Sequence, residues 1–330
     1  MNNYFFLTSP RVGPDLNAGS HLISDGVKAL IHFADPKAVL QDITLFNYRP
    51  IDWKIILSQA KGIFLCGNPR FAPGEHPYFW CTELLEHMKK AQATKIKIGD
   101  LFLGSAFPIP TLHTSAMATE LLKSERNKKT QATLSTFDLV ITRDPLSQKI
   151  CSQLFDHSIL LPDSTFWAKD FYHVQPGKKK HNCVTAPSLN CTPWLLKKLH
   201  EISKRLAEEK TTYFLCHAKN EYWLTRKTIP DIKNLIIIYD PDALLRFYAD
   251  TDKLVSCRLH GSIPALSLGV NVINIAVDSR AFAYDQFGFR SVPYIDLKDK
   301  DIPLKFDHID KNTRPSAQPF VEIFKHKIIR

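Results

Sequence analysis

The chain has 330 residues, about two ordinary domain lengths, with 44% hydrophobic and 23% charged residues; this excludes disorder as the main state and implies a real core. A formal net charge of +10 favours anionic partners: phosphorylated metabolites, nucleic acid or an anionic membrane face. The 12 glycines stand too far apart for G-x-G-x-x-G, and neither five-spaced pair precedes a lysine, so a dinucleotide fingerprint and a Walker A loop are both excluded.

In chain order, the first half predicts strands at 4–7, 63–66, 95–98 and 139–142, and helices at 20–33, 83–91, 115–124 and 146–154, followed by a strand-like segment at 158–161. Residues 175–180, Gln-Pro-Gly-Lys-Lys-Lys, are polar and turn-rich and predict a linker. The second half alternates more regularly. A strand at 182–186 leads to Thr192-Pro193, an N-cap with proline at the first helical position, and then to Leu195, Leu199, Ile202 and Leu206 at helical spacing. A strand at 212–216, a polar helix at 221–227 and a strand at 235–239, apolar on both faces as parallel sheets require, come next. Asp240-Pro241 opens another helix, and a strand at 253–257, a helix at 261–268 and a strand at 271–275 complete the rhythm; the last forty or so residues predict a closing helix and basic tail. Repeated β-α units imply doubly wound parallel sheets. The expected division is a domain at 1–174, a linker at 175–181 and a domain at 182–330, with a ligand cleft at the carboxyl ends of the strands.

The seven cysteines form no C-x-x-C, and neither H-E-x-x-H nor G-x-S-x-G occurs, so zinc-ribbon, zincin and serine-hydrolase signals are missing. No apolar run approaches the ~18 residues of a membrane span, and the first residues lack a basic n-region. With unpatterned cysteines, a cytoplasmic location is expected. Arginine-rich arms and an RNP-type aromatic stripe are absent, which ranks nucleic acid low. Three D-x-D strings, at 240–242, 250–252 and 299–301, read as caps and turns, and His21, His76 and His113 lack ligand spacing; no metal is assigned.

The most informative stretch is Ser256-Cys257-Arg258-Leu259-His260-Gly261-Ser262, at the end of a predicted strand. If the extended backbone persists, Arg258 and His260 point the same way. A helix starting near Gly261 would aim backbone N–H groups and its positive dipole end at the same spot, making a dianion site with an imidazole beside it. The competing reading is a histidine that packs locally and a surface arginine. Arg143-Asp144-Pro145 ends another strand; Asp144 reads as a helix cap, and Arg143 should face the cleft from the first sheet. Pro162-Asp163-Ser164 reads as a turn.

Arg258-Leu259-His260-Gly261, with Ala265, Gly269-Val270, Asp278 and Arg280, resembles the R-x-H…A…G-V-P…D-x-K signature of the polysaccharide pyruvyl transferase family. Arg143-Asp144-Pro145-Leu146-Ser147 is similar to its R-D-x-x-S segment, Leu161-Pro162-Asp163 to its P-D, and Asn17-Ala18-Gly19 with Gly26 to its opening helix. The resemblance implies an α/β fold of two Rossmann-like domains facing across a cleft, of GT-B type. It also implies transfer of a pyruvyl group from phosphoenolpyruvate to sugar hydroxyls of a cell-surface glycan or its precursor. Under that reading His260 is the acid/base and Arg258 and Arg143 clamp the donor, since arginine forks suit both phosphate and carboxylate. Gly261 and Ser262 join the donor site, and Asn17, Gly19, Asp163, Asp278 and Arg280 line the cleft. No cofactor is needed. The saccharide acceptor could be lipid-linked, with peripheral contact at the inner face of the membrane. Two alternatives stay open: a GT-B glycosyltransferase using a nucleotide-sugar, and a catalytically silent carbohydrate-binding relative.

Overall fold

Strands that are apolar on both faces must be covered on both faces, and parallel pairing with crossover helices does this. The computed structural model describes residues 2–8, 18–44, 51–67, 69–71, 86–87, 95–107, 132–155, 157–187, 192–298, 304–310 and 313–330. The first half supplies β1 (Asn3–Thr8), β2 (Val39–Thr44), β3 (Ala60–Cys66), β4 (Pro69–Phe71), β5 (Lys97–Ser105), β6 (Leu139–Thr142) and β7 (Ser158–Leu160). They form one sheet in the order β2-β1-β3-β5-β6-β7, with β4 pairing off the path to β5. The second half supplies β8 (His181–Thr185), β9 (Thr212–Cys216), β10 (Leu235–Ile237), β11 (Thr251–Ser256), β12 (Asn271–Ala276) and β13 (Val292–Pro293). Their order is β10-β9-β8-β11-β12-β13. Every strand pair in both sheets is parallel.

The strand period of two sorts side chains into three core layers. In β1 and β3, Phe5, Leu7, Ile63 and Leu65 face an outer layer. Tyr4, Phe6, Phe64 and Cys66 face a central one, which also receives Cys183, Leu215, Leu254 and Val272 from the second sheet. Val184, Phe214, Val255 and Ile273 turn to the opposite outer layer. The helices Ala18–Ala34, Pro241–Ala249, Leu259–Ser267 and Gln318–Phe324 contribute to the shared central layer. The closing helix returns to the first sheet, where Phe324 packs edge-on to Tyr4 at 5.5 Å and Phe320 stacks on Phe102 at 5.9 Å.

Sequence and structure differ at several places, three of them in the first half. β2 was not anticipated because, at the sheet edge, Val-Leu-Gln-Asp-Ile-Thr carries exposed polar residues and shows no run apolar on both faces. The helix Trp53–Gln59 was likewise unanticipated. β5 continues well beyond the expected 95–98, through Gly99, Asp100 and Gly104. These read as strand breakers, yet a Cβ at Gly99 would lie 2.9 Å from the Leu139 carbonyl oxygen, so the glycine marks close strand approach. The expected helix at 115–124, and that at 83–91 apart from residues 86–87, fall outside the described residues.

The helix Ala18–Ala34 crosses the 3-10 turn Ser164–Trp167 at Gly26, where a Cβ would sit 1.9 Å from the Ser164 carbonyl oxygen. Neither backbone can yield cheaply. Gly26→Ala should therefore destabilise the protein by about 1–3 kcal/mol or more, read as a lowered denaturation midpoint with unchanged m-value.

Candidate functional site

Asp144 ends β6 by capping the helix Pro145–Cys151, accepting from the Ser147 N–H at 2.7 Å. The adjacent Arg143 is turned inward and fully buried. Its guanidinium lies against Gly104 of β5, where a Cβ would come within 2.3 Å of Nε. β5 makes this seat with a bulge. Its register against β6 shifts between Asp100 and Leu103, and Phe102 adopts a φ of 61°, an uncommon conformation for a bulky residue. Arg143 Nη1 lies 3.4 Å from Asp163 Oδ2 and 3.1 Å from His260 Nε2, while Nε and Nη2 are buried without a hydrogen-bond partner.

His260 comes from the other sheet. Arg258 is still extended as the N-cap, but extended geometry ends there, because the helix Leu259–Ser267 takes His260 into its first turn. Arg258 and His260 are therefore not related by strand alternation. The backbone N–H groups of Gly261 and Ser262 both donate to the Arg258 carbonyl at 3.0 Å, and the Ser262 hydroxyl donates to Asn274 Oδ1 at 2.6 Å. This corrects the expectation that Gly261 and Ser262 aim free groups at a ligand. Gly261 is needed for fit, since a Cβ would lie 2.8 Å from Ser256 Oγ and 3.0 Å from Tyr248 Oη.

Arg258 pairs through Nη2 with Glu221 Oε1, and its Nε is buried without a partner. Glu221 Oε2 accepts from the backbone N–H of His217 at 2.9 Å, and His217 Nε2 meets Tyr248 Oη at 3.1 Å. His217, Glu221 and Tyr248 were not singled out from sequence. The only signal was the polar helix around Glu221, and nothing local says which of its faces turns inward.

The remaining expected residues divide. Asp163 caps the turn Ser164–Trp167, accepting from the Thr165 N–H at 2.9 Å, and presents its other oxygen to Arg143. Asp278 and Arg280 pair with each other, Arg280 Nε lying 2.8 and 2.9 Å from the two carboxylate oxygens. Between them Ser279 ties the two halves together: its hydroxyl meets Ser105 Oγ at 2.8 Å and accepts from the Phe107 N–H at 2.9 Å. Gly19 is buried in the first turn of the helix Ala18–Ala34, and Asn17 lies outside the described residues. Asp240 caps a helix, Asp242 pairs with Arg246, Asp250 with Lys180 and Asp252 with Lys210; Asp299 and Asp301 lie outside the described residues.

Burial pulls the His260 imidazole well below its ordinary range, and Arg143, Arg280, Arg258 and His217 push it further down. A guanidinium can only donate. His260 Nε2 therefore accepts from Arg143, and in the neutral ring the proton sits on Nδ1. Burial, then Arg258, lowers His217 in the same sense. The free site thus holds neutral imidazoles among cations; the acceptor nitrogen of His260 is engaged by Arg143 and can take a proton once that guanidinium turns to another partner.

Residues 17–279 match the family model of polysaccharide pyruvyl transferase. The chain belongs to the polysaccharide pyruvyl transferase family. This is a family of transferases. No curated protein matches the chain. Among solved structures it is similar to S. aureus MnaA with UDP, at 11% identity and TM-score 0.54 over 90% of this chain and 86% of that one. It is also similar to UDP-N-acetylglucosamine 2-epimerase from Rickettsia bellii, at 9% identity and TM-score 0.53 over 100% and 95% of the two chains. At these identities the likeness shows the fold alone: two parallel-sheet α/β units of GT-B type. Among the described residues no helix is long and apolar enough to cross a membrane.

Two outcomes are expected for this pyruvyl transferase family member. In Gly104→Ala the three atoms nearest the new methyl all belong to the guanidinium end of Arg143 rather than to backbone, so circular dichroism should show an intact fold. Turnover should fall by up to about 10²-fold as the guanidinium is displaced. The second concerns pH. His217 is neutral when folded, whereas an unfolded histidine titrates near ~6.5. Its contribution is therefore complete above that pH and is lost as the pH falls, at about 1.4 kcal/mol per pH unit. Thermal melts between about pH 7.5 and 5 should show less acid sensitivity for His217→Gln than for the unmutated protein.

Proposed function

We propose that the protein transfers the pyruvyl group of phosphoenolpyruvate to hydroxyls of a saccharide, forming a ketal in a cell-surface glycan or its precursor. The observation that carries this reading is the 3.1 Å contact between Arg143 Nη1 and His260 Nε2, beside two buried Arg143 nitrogens without partners. Buried N–H donors are costly unless something satisfies them, and an anion with several oxygens is suited to do so. Arg258, with its own unpartnered Nε, is the second clamp. Phosphoenolpyruvate carries a phosphate and a carboxylate close together and so can engage two forks at once.

The chemistry follows from the charge states. A sugar hydroxyl attacks C2 of the enol and gives its proton to His260 Nε2, which Arg143 vacates as it turns to the donor's oxygens, and the imidazolium passes that proton to the methylene carbon C3. A second hydroxyl then attacks C2, the C–O bond to phosphate breaks with its electron pair going to phosphate, and the second hydroxyl's proton leaves with it. The sum is donor plus diol giving ketal plus phosphate. Arginine N–H groups meet the growing negative charge on the phosphate oxygens. A dianionic donor offsets the cations that depress the His260 imidazole, so donor binding makes the histidine a better proton acceptor.

The domain division at 175–181 belongs to the same proposal; supporting it, β7, which precedes that segment, and β8, which begins at its last residue, lie in different sheets. So do a cytoplasmic location and, for a lipid-linked acceptor, peripheral contact with the inner face of the membrane, for which the support is the net charge of +10.

Calorimetric titration with phosphoenolpyruvate tests the reading. Arg143→Ala and Arg258→Lys should each lose about 1.5–3 kcal/mol of binding, lysine failing because it lacks the planar fork. His260→Ala should bind donor yet turn over roughly 10²–10⁴-fold more slowly. Unchanged affinity in both arginine variants would remove the clamp. Binding of a UDP- or CMP-sugar in place of phosphoenolpyruvate would favour glycosyl transfer, and binding of saccharide alone a silent relative.

A further inference from the structure

We infer that Glu221 is a positioning residue for the anion site: it holds Nη2 of the Arg258 guanidinium so that the neighbouring, unpartnered Nε stays in place for an incoming phosphate or carboxylate. The inference rests on the proposed donor site but concerns a residue outside the family signature. Arg258 and Glu221 are both largely buried, with 13% and 7% of their side chains exposed. The two carboxylate oxygens have separate tasks. Oε1 pairs with Arg258 Nη2, and Oε2 accepts from the His217 backbone N–H at 2.9 Å. His217 is itself seated by Tyr248, which is fully buried and whose hydroxyl approaches Gly261 in the helix that carries His260. Glu221 is thus anchored at one end to a strand terminus and grips arginine at the other.

An ion pair formed only for stability would saturate the fork. Here Arg258 Nε remains buried without a partner. Arg280 provides the contrast, since its Nε and Nη2 meet both oxygens of Asp278, and that pairing turns the fork towards its own carboxylate. The two arginines share one chemistry, and their acidic neighbours separate their roles. Held at one edge, Arg258 loses little rotamer freedom when a ligand arrives, and this favours binding through preorganisation.

Charge and position make opposite forecasts, which allows a clean test. If Glu221 acted only as a competing negative charge, removing that charge would tighten anion binding and shortening the side chain would change little. If it acts as a positioning arm, shortening it by one methylene at constant charge draws Arg258 out of place. Calorimetric titration of the full chain with phosphoenolpyruvate, and separately with inorganic phosphate, should show Glu221→Asp weakened by roughly tenfold or more. Glu221→Gln keeps the length but offers one acceptor oxygen in place of two, its NH2 facing an N–H donor, so it should weaken binding severalfold, by less than Asp, whereas a merely competing charge would make Gln bind more tightly. In kinetics the Asp variant should raise KM for the donor more than it lowers kcat. Adding Arg258→Lys to Glu221→Asp should cost far less than Arg258→Lys alone, because the arm then has nothing left to aim. Thermal melts on both variants identify any loss that comes from unfolding, and the full-length Gln variant carries the comparison if Asp does not fold. The inference is overturned if Asp binds as tightly as the unmutated protein, or if Gln binds more tightly than it. Phosphate binding without phosphoenolpyruvate binding would remove the donor reading while leaving the Glu221 comparison readable. Binding of neither anion would overturn both.

Discussion

The Arg143 guanidinium occupies space that any side chain at position 104 would take, and from there it touches His260 on a helix of the other sheet. Much of the surrounding structure serves that contact. The bulge at Phe102 adjusts β5 so that Gly104 lies under the guanidinium. Ser105, next in line, reaches Asp144 and Ser279. Gln286 donates to the Arg143 carbonyl from the second half. A guanidinium cannot accept a hydrogen bond, so its contact also sets the histidine tautomer, and its charge helps keep that ring neutral. One side chain thus sets position and tautomer and adds to the effect of burial on the charge.

Three arginines around one small volume would repel each other in a poorly solvated site, and each is matched by its own carboxylate: Arg143 by Asp163, Arg258 by Glu221 and Arg280 by Asp278. Buried charge is tolerable only when paired. The pairings are unequal. Asp278 saturates Arg280, Glu221 takes one edge of Arg258, and Asp163 meets Arg143 at a single long 3.4 Å contact because its other oxygen caps a turn. The gradation leaves Arg143 most available to an anion, Arg258 partly so and Arg280 least. The gradation is the feature on which the proposed donor, with two anionic groups of different size, would draw.

The same local devices connect the site to the frame. Asp163 faces Arg143 while capping the turn Ser164–Trp167. That turn lies under Gly26, and the Ser164 hydroxyl donates to the Ile23 carbonyl at 3.1 Å. The closing helix Gln318–Phe324 fills the same central layer, so the end of the chain lies over the first sheet as well as following the second. Shifting the opening helix would therefore reach Asp163 and, through it, Arg143.

The sequence by itself determined that the chain folds as parallel α/β units, because apolar runs on both strand faces and capped helices between them are local signals. It also determined that Arg143 and Arg258 stand at strand ends with His260 just beyond, and that Asp144 caps a helix. Tertiary structure alone decided that Arg143 and His260 meet across 117 positions, that Glu221 holds Arg258, and that Gly104 leaves room for a guanidinium. It also turned the Ser262 hydroxyl inward, away from the expected ligand role. The division has a physical cause. Periodicity reports which face of an element is buried, since that depends on neighbours one or two turns away. Which side chain lies opposite depends on how two sheets and their shared helices pack, a sum of contacts between residues far apart in sequence that leaves no spacing to read.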